Sequence, residues 1–401
     1  MSYSDSQLIA LIGEDESHWI ERKESFADKD KICKTVCAFA NDLANSNKHG
    51  IIWIGIRDDG FISGVEVNDD LLQKIDQIRA EGKIQPLPSL STRHLRIEDK
   101  SVIAIVVAPS TLPPVRYDGR IWVRQSVTTQ RGYDEDERQL NEKRRSKAGR
   151  SFDSEGIPHS SISDLDGRYF DETYLPSAIA REVLQANGRT LEEKLITTRM
   201  AIGEIPCAPT VAGILTLGYT PQDWFAGAYI QFLRYAGLEQ GGVIADQMEI
   251  TGNLETVIRQ AEEKIKLNIS QPTDINSQDR EKRQPDYPLA ALQQLFRNAV
   301  LHRNYEGTNA PIRLYWFDDR IEIMNPGGPF GLVNEQNFGQ PHAADYRNPI
   351  IAEVLHNLGF VQRFGFGIQN AKDLLKANGN PPPEFNVSAS MVVVIVRKAT
   401  K

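Results

Sequence analysis

The chain has 401 residues, a formal net charge of −8, and 40% hydrophobic and 25% charged residues. That size allows two or three domains with a core in each, and the composition is that of an ordinary globular protein. The acidic balance argues against a protein that coats nucleic acid non-specifically, and no apolar run is long enough to span a bilayer. The N-terminus, MSYSDSQLIALIGEDES, lacks the basic-then-apolar pattern of a signal peptide. Three cysteines, Cys33, Cys37 and Cys207, make no disulfide framework. Together these features predict a cytoplasmic protein with no membrane partner.

In chain order, Ile32, Val36, Phe39 and Leu43 recur at helical spacing, and GIIWIGIR (50–57) then reads as a buried strand. Asp58-Asp59-Gly60 signals a turn, with FISGVEV expected to return as a second strand. A helix follows over 69–82, and strands over 101–107 and 120–125. The run RQLNEKRRSKAGR (138–150) is strongly basic, as expected of a solvated helix end and linker. Residues 146–165 are rich in Gly, Ser, Pro and Asp and read as a linker. Beyond them come the helical pattern TLEEKLITTRMAI, the helix-then-strand pair PTVAGILTLG and AYIQFLRYAG, and a long amphipathic helix from Asn253 to Asn268. The stretch SQPTDINSQDREKRQPDYP interrupts the pattern, and a last domain closes on SMVVVIVRK. The expected fold class is α/β (α+β), in three parts with boundaries at 1–145, 146–284 and 285–401.

The most informative stretch is LAALQQLFRNAVLHRNY (289–305). It predicts a helix whose apolar side carries Leu292, Leu295, Ala299 and Leu301, with Asn298 between them. The strand RIEIM then runs into Asn325-Pro326-Gly327-Gly328, and RNPIIAEVLHNLG forms a helix closed by Gly359. Gly365-Phe366-Gly367 opens another helix, a position suited to phosphate. A helix asparagine followed by two glycine turns can build a nucleotide pocket, with the amide on a phosphate-bound Mg²⁺ and backbone N–H groups close to the ligand.

The motifs RNAVLHRNY, IEIMNPGG, RNPIIAEVLHNLGF and RFGFGI resemble the divergent histidine-kinase-like ATPase domain of the gyrase, heat-shock chaperone and histidine kinase superfamily. The resemblance implies ATP as ligand, Asn298 on Mg²⁺, and Asn325 where the superfamily has an aspartate reading the adenine amino group. Gly327, Gly328, Gly365 and Gly367 would shape the turns. From their place after the Asn298 helix, Arg303 is expected to reach the phosphates and His302 to be structural, with either equally able to serve as a helix-end cation on the dipole. The resemblance also implies a homo-oligomer. Hydrolysing members carry a glutamate four residues before the asparagine, and here that position is Gln294. An amide accepts no proton at neutral pH, so weak or absent ATP hydrolysis is expected.

At the other end, ESHWIERKES, ICKTVCAFAND and IIWIGIRDDGFISGV resemble the Schlafen AlbA-type domain. Its nuclease members use two glutamates five residues apart and a later aspartate. The match falls on Glu16, Glu21 and Asp59, with Asp58 the alternative third position and Lys23 beside phosphate. These carboxylates would hold Mg²⁺ or Mn²⁺ to activate water. The function so implied is an ATP-responsive, metal-dependent nuclease on RNA (tRNA included) or DNA, with phage defence suggested by analogy. The alternative is a non-catalytic, ATP-dependent DNA-binding transcriptional regulator. Neither a GxxxxGK[ST] loop nor a DExH box is present, so no helicase is expected.

Overall fold

The computed structural model describes residues 3–185, 188–270, 284–340, 344–362 and 365–399, with the backbone alone at 273–274 and 282–283. Residues 271–272 and 275–281 of SQPTDINSQDREKRQPDYP therefore lie outside the described residues. The chain divides into two units, Met1–Gly149 and Arg150–Lys401.

The first unit runs α1 (Asp5–Leu11), β1 (Ile20–Lys23), α2 (Lys29–Asn41), β2 (Gly50–Ile54), α3 (Asp69–Ala80), β3 (Ile84–Gln85), β4 (Ser89–Ile97), β5 (Lys100–Ala108), β6 (Arg116–Tyr117), β7 (Arg120–Gln125), β8 (Thr128–Arg131) and α4 (Asp134–Lys147). One sheet has the order β1-β2-β5-β4 and the other β3-β6-β7-β8. Strands β2 and β5 are near-continuous apolar runs because both their faces are covered. Ile52, Ile54, Ile103 and Ile105 pack in a core with α2, while Ile51, Trp53, Val102 and Ala104 pack on the opposite side with Leu8 and Trp19. Helix α2 starts where the Asp28 side chain accepts from the Lys31 N–H, and stops at Asp42, which is left-handed at φ 43°. The Asp42 carboxylate secures that turn by accepting from the N–H groups of Ser46 (2.9 Å) and Asn47 (3.0 Å) and from Lys143 Nζ (2.9 Å).

The returning strand expected over FISGVEV is not formed. Only an isolated bridge joins Ile56 to Ile62. The backbone reverses through Gly55 (φ 98°) and Gly64 (φ 78°), after which the Val65 N–H turns to the Ser101 carbonyl. Strand β4 escaped the sequence reading because its side chains are mostly polar and all but Leu95 are at least partly exposed.

The second unit contains α5 (Val211–Leu217), β9 (Ile230–Ala236), β10 (Val243–Ile250), α6 (Leu254–Asn268), α7 (Leu289–His302), β11 (Ile312–Trp316), β12 (Arg320–Pro326), α8 (Pro349–Asn357), α9 (Gly367–Ala377), β13 (Glu384–Val387) and β14 (Met391–Arg397), with shorter pieces between. The strands form one sheet of order β10-β9-β11-β12-β14-β13, in which β9 and β11 are parallel neighbours. Strands from both sides of residue 284 thus share one sheet and one apolar core, so the expected boundary there does not divide the structure. Hydrogen-bonded sheet continuity outweighs the composition break that suggested it.

From Arg150 on, the segment read as a linker also belongs to this unit. Asp153 is fully buried, and its Oδ2 accepts from the N–H groups of Ile350 (2.7 Å) and Ile351 (3.0 Å) at the start of α8. Burial raises the Asp153 pKa, and hydrogen bonds from Ser151 and those two N–H groups oppose the rise. Among the described residues, no helix is long and apolar enough to cross a membrane.

Candidate nucleotide cleft and acidic site

Helix α7 packs its apolar stripe inward through Leu292, Leu295, Phe296 and Ala299, which leaves Gln294 and Asn298, one turn apart, on a half-buried flank. That flank is one wall of an open cleft of about 1210 Å³, mouth included. Its floor is the sheet, where Ile323 lies opposite Val394 and Asn325 opposite Val392. The result is an apolar slot with one amide set into its base. Asn325 is 6% exposed, and its Oδ1 is buried with no hydrogen-bond partner among the described residues. An unpaired buried acceptor costs about 1–3 kcal/mol, which a ligand N–H would recover.

Both glycine turns also border this cleft. Gly327 has φ 105°, and a Cβ there would stand 2.4 Å from Arg347 Nη1. At Gly328 a Cβ would meet the Ser388 and Ala389 carbonyl oxygens at 2.4 Å, so only glycine fits this approach of two backbones. Gly365 (φ 72°) and Gly367 lead into α9, whose N-terminus has no side-chain cap. Its first-turn N–H groups can serve an anion. Gln294 lies against that end, with its Oε1 3.3 Å from where a Gly367 Cβ would be.

The structure thus brings Asn298, Asn325, Gly327, Gly328, Gly365 and Gly367 to one cleft. Arg303 is the exception. It is 1% exposed, does not line the cleft, and donates from Nη2 to the carbonyls of Gly227 (2.7 Å) and Ala310 (2.8 Å). The chain turns sharply after His302, which carries Arg303 away from the phosphate end and makes it an internal strut. Arg297, paired with Glu262, borders the cleft, and so does Arg347, which the sequence reading missed. Arg347 Nη1 donates to the His302 carbonyl (3.0 Å) and its Nη2 to the Gly328 carbonyl (3.1 Å), joining the end of α7 to the glycine turn. His302 borders the cleft and stacks on Tyr346. Desolvation, with Arg347 beside it, pushes the His302 pKa down to about 4, so the ring is neutral at physiological pH.

In the first unit, Glu16 and Glu21 both meet β1. The Arg22 N–H donates to Glu16 Oε1 (2.9 Å), while Glu21 forms ion pairs with Lys23 and with Arg124 Nη1. Arg124 is 5% exposed and also donates to the carbonyls of Ser17 (3.1 Å) and Ile20 (3.3 Å). Asp59 stands apart in an exposed turn, where its Oδ1 accepts from the Phe61 N–H (3.0 Å) and its Oδ2 lies 3.7 Å from Arg57. Among the described residues, no group of three or more His, Cys, Asp or Glu side chains is placed to hold a metal. The expected metal set of Glu16, Glu21 and Asp59 is therefore not assembled, and Glu21 is instead paired with Lys23 from β1 and Arg124 from β7. Asn298 differs in that it stands on the cleft wall and offers one hard amide oxygen, the ligand type that suits Mg²⁺, an ion that keeps several waters.

Comparison with known proteins bears on both units. Residues 16–132 match the family model for Schlafen, AlbA_2. Residues 309–396 match the model described as "Putative ATP-dependent DNA helicase recG C-terminal". The chain therefore joins a Schlafen AlbA_2-type domain to a recG C-terminal-type ATPase domain, and its fold is α+β. The second match spans Asn325 and all four glycines but begins after Gln294 and Asn298. Among solved structures, the chain is similar to the DIP2311 protein from Corynebacterium diphtheriae, at 17% identity and TM-score 0.48, over 98% of this chain and 80% of that one. It is also similar to the N-terminal domain of a RecG-related protein from Nitrosomonas europaea, at 22% identity and TM-score 0.22, over 27% of this chain and 74% of that one. No curated protein matches the chain.

Proposed function

We propose that this protein binds ATP in the cleft of its second unit and uses it to control an interaction with nucleic acid. The unpartnered Oδ1 of Asn325, at the base of an apolar slot bordered by two glycine turns, carries this reading. A purine amino group supplies the missing donor, the uncapped start of α9 receives phosphate, and Asn298 orients it, with Mg²⁺ neutralising phosphate charge when bound. The nucleic-acid role is supported by the Schlafen AlbA_2 match and by exposed cations such as Arg93 and Arg96 on edge strand β4, a side-chain chemistry that contacts phosphate.

Of the two expected functions, this is the ATP-dependent regulator. The nuclease reading has one observation in its favour, the meeting of Glu16 and Glu21 at β1, but it would require Glu21 to exchange Lys23 and Arg124 for a metal. Labelled tRNA, single-stranded RNA and duplex DNA, incubated with the full chain in Mg²⁺ or Mn²⁺ with and without ATP, separate the two. Binding without cleavage is expected, with affinity unchanged or raised in Glu21→Gln. Cleavage that disappears in Glu21→Gln would overturn the regulator reading in favour of the nuclease.

A further inference from the structure

We propose that the cleft accepts 6-keto purine nucleotides as readily as 6-amino ones, and that Asn325 is the residue that permits both; this rests on the nucleotide-binding reading above. Four asparagines are buried among the described residues: Asn41, Asn325, Asn348 and Asn380. Three have their amides fixed. Asn41 donates to the Val115 and Trp122 carbonyls and accepts from the Val115 N–H, at 2.6–3.0 Å. Asn348 donates to the Leu301 and Arg303 carbonyls, both at 2.9 Å. Asn380 donates to the Asp286 and Arg397 carbonyls and accepts from Asn378. In each, turning the amide over would set oxygen against oxygen.

Asn325 has no such lock. Among the described residues its Oδ1 has no partner and nothing accepts from its Nδ2. Its neighbours on the cleft floor are the hydrocarbon side chains of Ile323, Val392 and Val394. The amide can therefore rotate by half a turn about Cβ–Cγ without breaking an internal hydrogen bond. A 6-amino purine offers a donor at position 6 and an acceptor at N1, while a 6-keto purine offers the reverse pair. One amide orientation matches the first and the flipped orientation matches the second, in the same plane and at the same depth. A carboxylate has acceptors only, so at this position it would face a 6-keto oxygen lone pair to lone pair. The neutral side chain in this chain thus sets purine selectivity as well as affinity.

The test is titration of the full chain with ATP and with inosine triphosphate, which differs only at position 6 and the N1 proton. Wild type should bind the two within about tenfold of each other, whereas Asn325→Asp should still bind ATP and prefer it over inosine triphosphate by about 30-fold or more, the scale of a paired against a mispaired base edge. Retained ATP binding in the variant reports that it is folded, and the wild-type comparison stands even where the variant does not fold. Wild type that binds ATP but takes inosine triphosphate about 100-fold more weakly would overturn the inference and leave the nucleotide reading intact. Failure to bind either nucleotide would overturn both.

Discussion

Replacing Gln294 with glutamate should raise ATP turnover by about a hundredfold while leaving ATP affinity little changed. Gln294 shares the cleft-facing flank of α7 with Asn298, and its carboxamide reaches the start of α9, where the terminal phosphate of a bound nucleotide would sit. An amide there can orient water but cannot take its proton. A carboxylate of nearly the same shape can, and a positioned general base contributes about 10²–10⁴ to rate. The substitution is close to isosteric at a half-buried position, so the fold should tolerate it. Phosphate release by the purified full chain checks it: slow turnover in wild type that rises in Gln294→Glu is expected. Rapid turnover in wild type, or no gain in the variant, would mean that water is activated elsewhere.

Removing Arg124 should cost the first unit about 3 kcal/mol, the scale seen when one partner of a buried ion pair is deleted. The guanidinium is 5% exposed, pairs with Glu21, donates to two backbone carbonyls and to Thr129 Oγ1 (3.0 Å), and lies over the Phe39 ring. Alanine would take from the Ser17 carbonyl its side-chain donor and leave Glu21 with Lys23 alone, while the Ile20 carbonyl keeps the Ser17 N–H and Thr129 Oγ1 keeps Thr35. In urea, the transition of this unit should shift down by about 1–2 M. Arg96→Ala, whose side chain is 74% exposed, should move it by no more than about 0.5 kcal/mol. Because part of the cost is the stranded charge of Glu21, Arg124→Ala should be less damaging in a Glu21→Gln background. An equal cost in both backgrounds would mean that the ion pair is not what holds this corner.

Much of the second unit was legible because its signals are local. Helical periodicity located α6, α7 and α8, the run SMVVVIVRK located β14, and the NPGG and GFG turns announced themselves by glycine. Asn298, Asn325 and the four glycines then converge on one cleft because each sits at the end of, or on the inner face of, an element whose direction the hydrophobic pattern already specified. What the sequence concealed depends on partners distant in the chain. Arg303 and Arg347 are equally plausible phosphate ligands by adjacency. Only the turn after α7 sends the first to Gly227 and Ala310, while the second reaches His302 and Gly328. In the same way, the five-residue spacing of Glu16 and Glu21 carries no trace of Arg124, more than a hundred positions away, which turns a candidate metal ligand into half of an ion pair. The merging of β9 and β10 with the C-terminal strands was hidden because strand pairing across long separations leaves no periodic mark.

The most direct test of the account is titration of the full chain with Mg²⁺ and ATP, with Asn298→Ala alongside. The account predicts saturable, one-to-one binding in wild type that weakens when Mg²⁺ is chelated. In Asn298→Ala, affinity should fall about tenfold or more and the dependence on Mg²⁺ should be lost. Absence of saturable binding in wild type, or binding that ignores both Mg²⁺ and Asn298, would contradict the assignment of this cleft to a nucleotide.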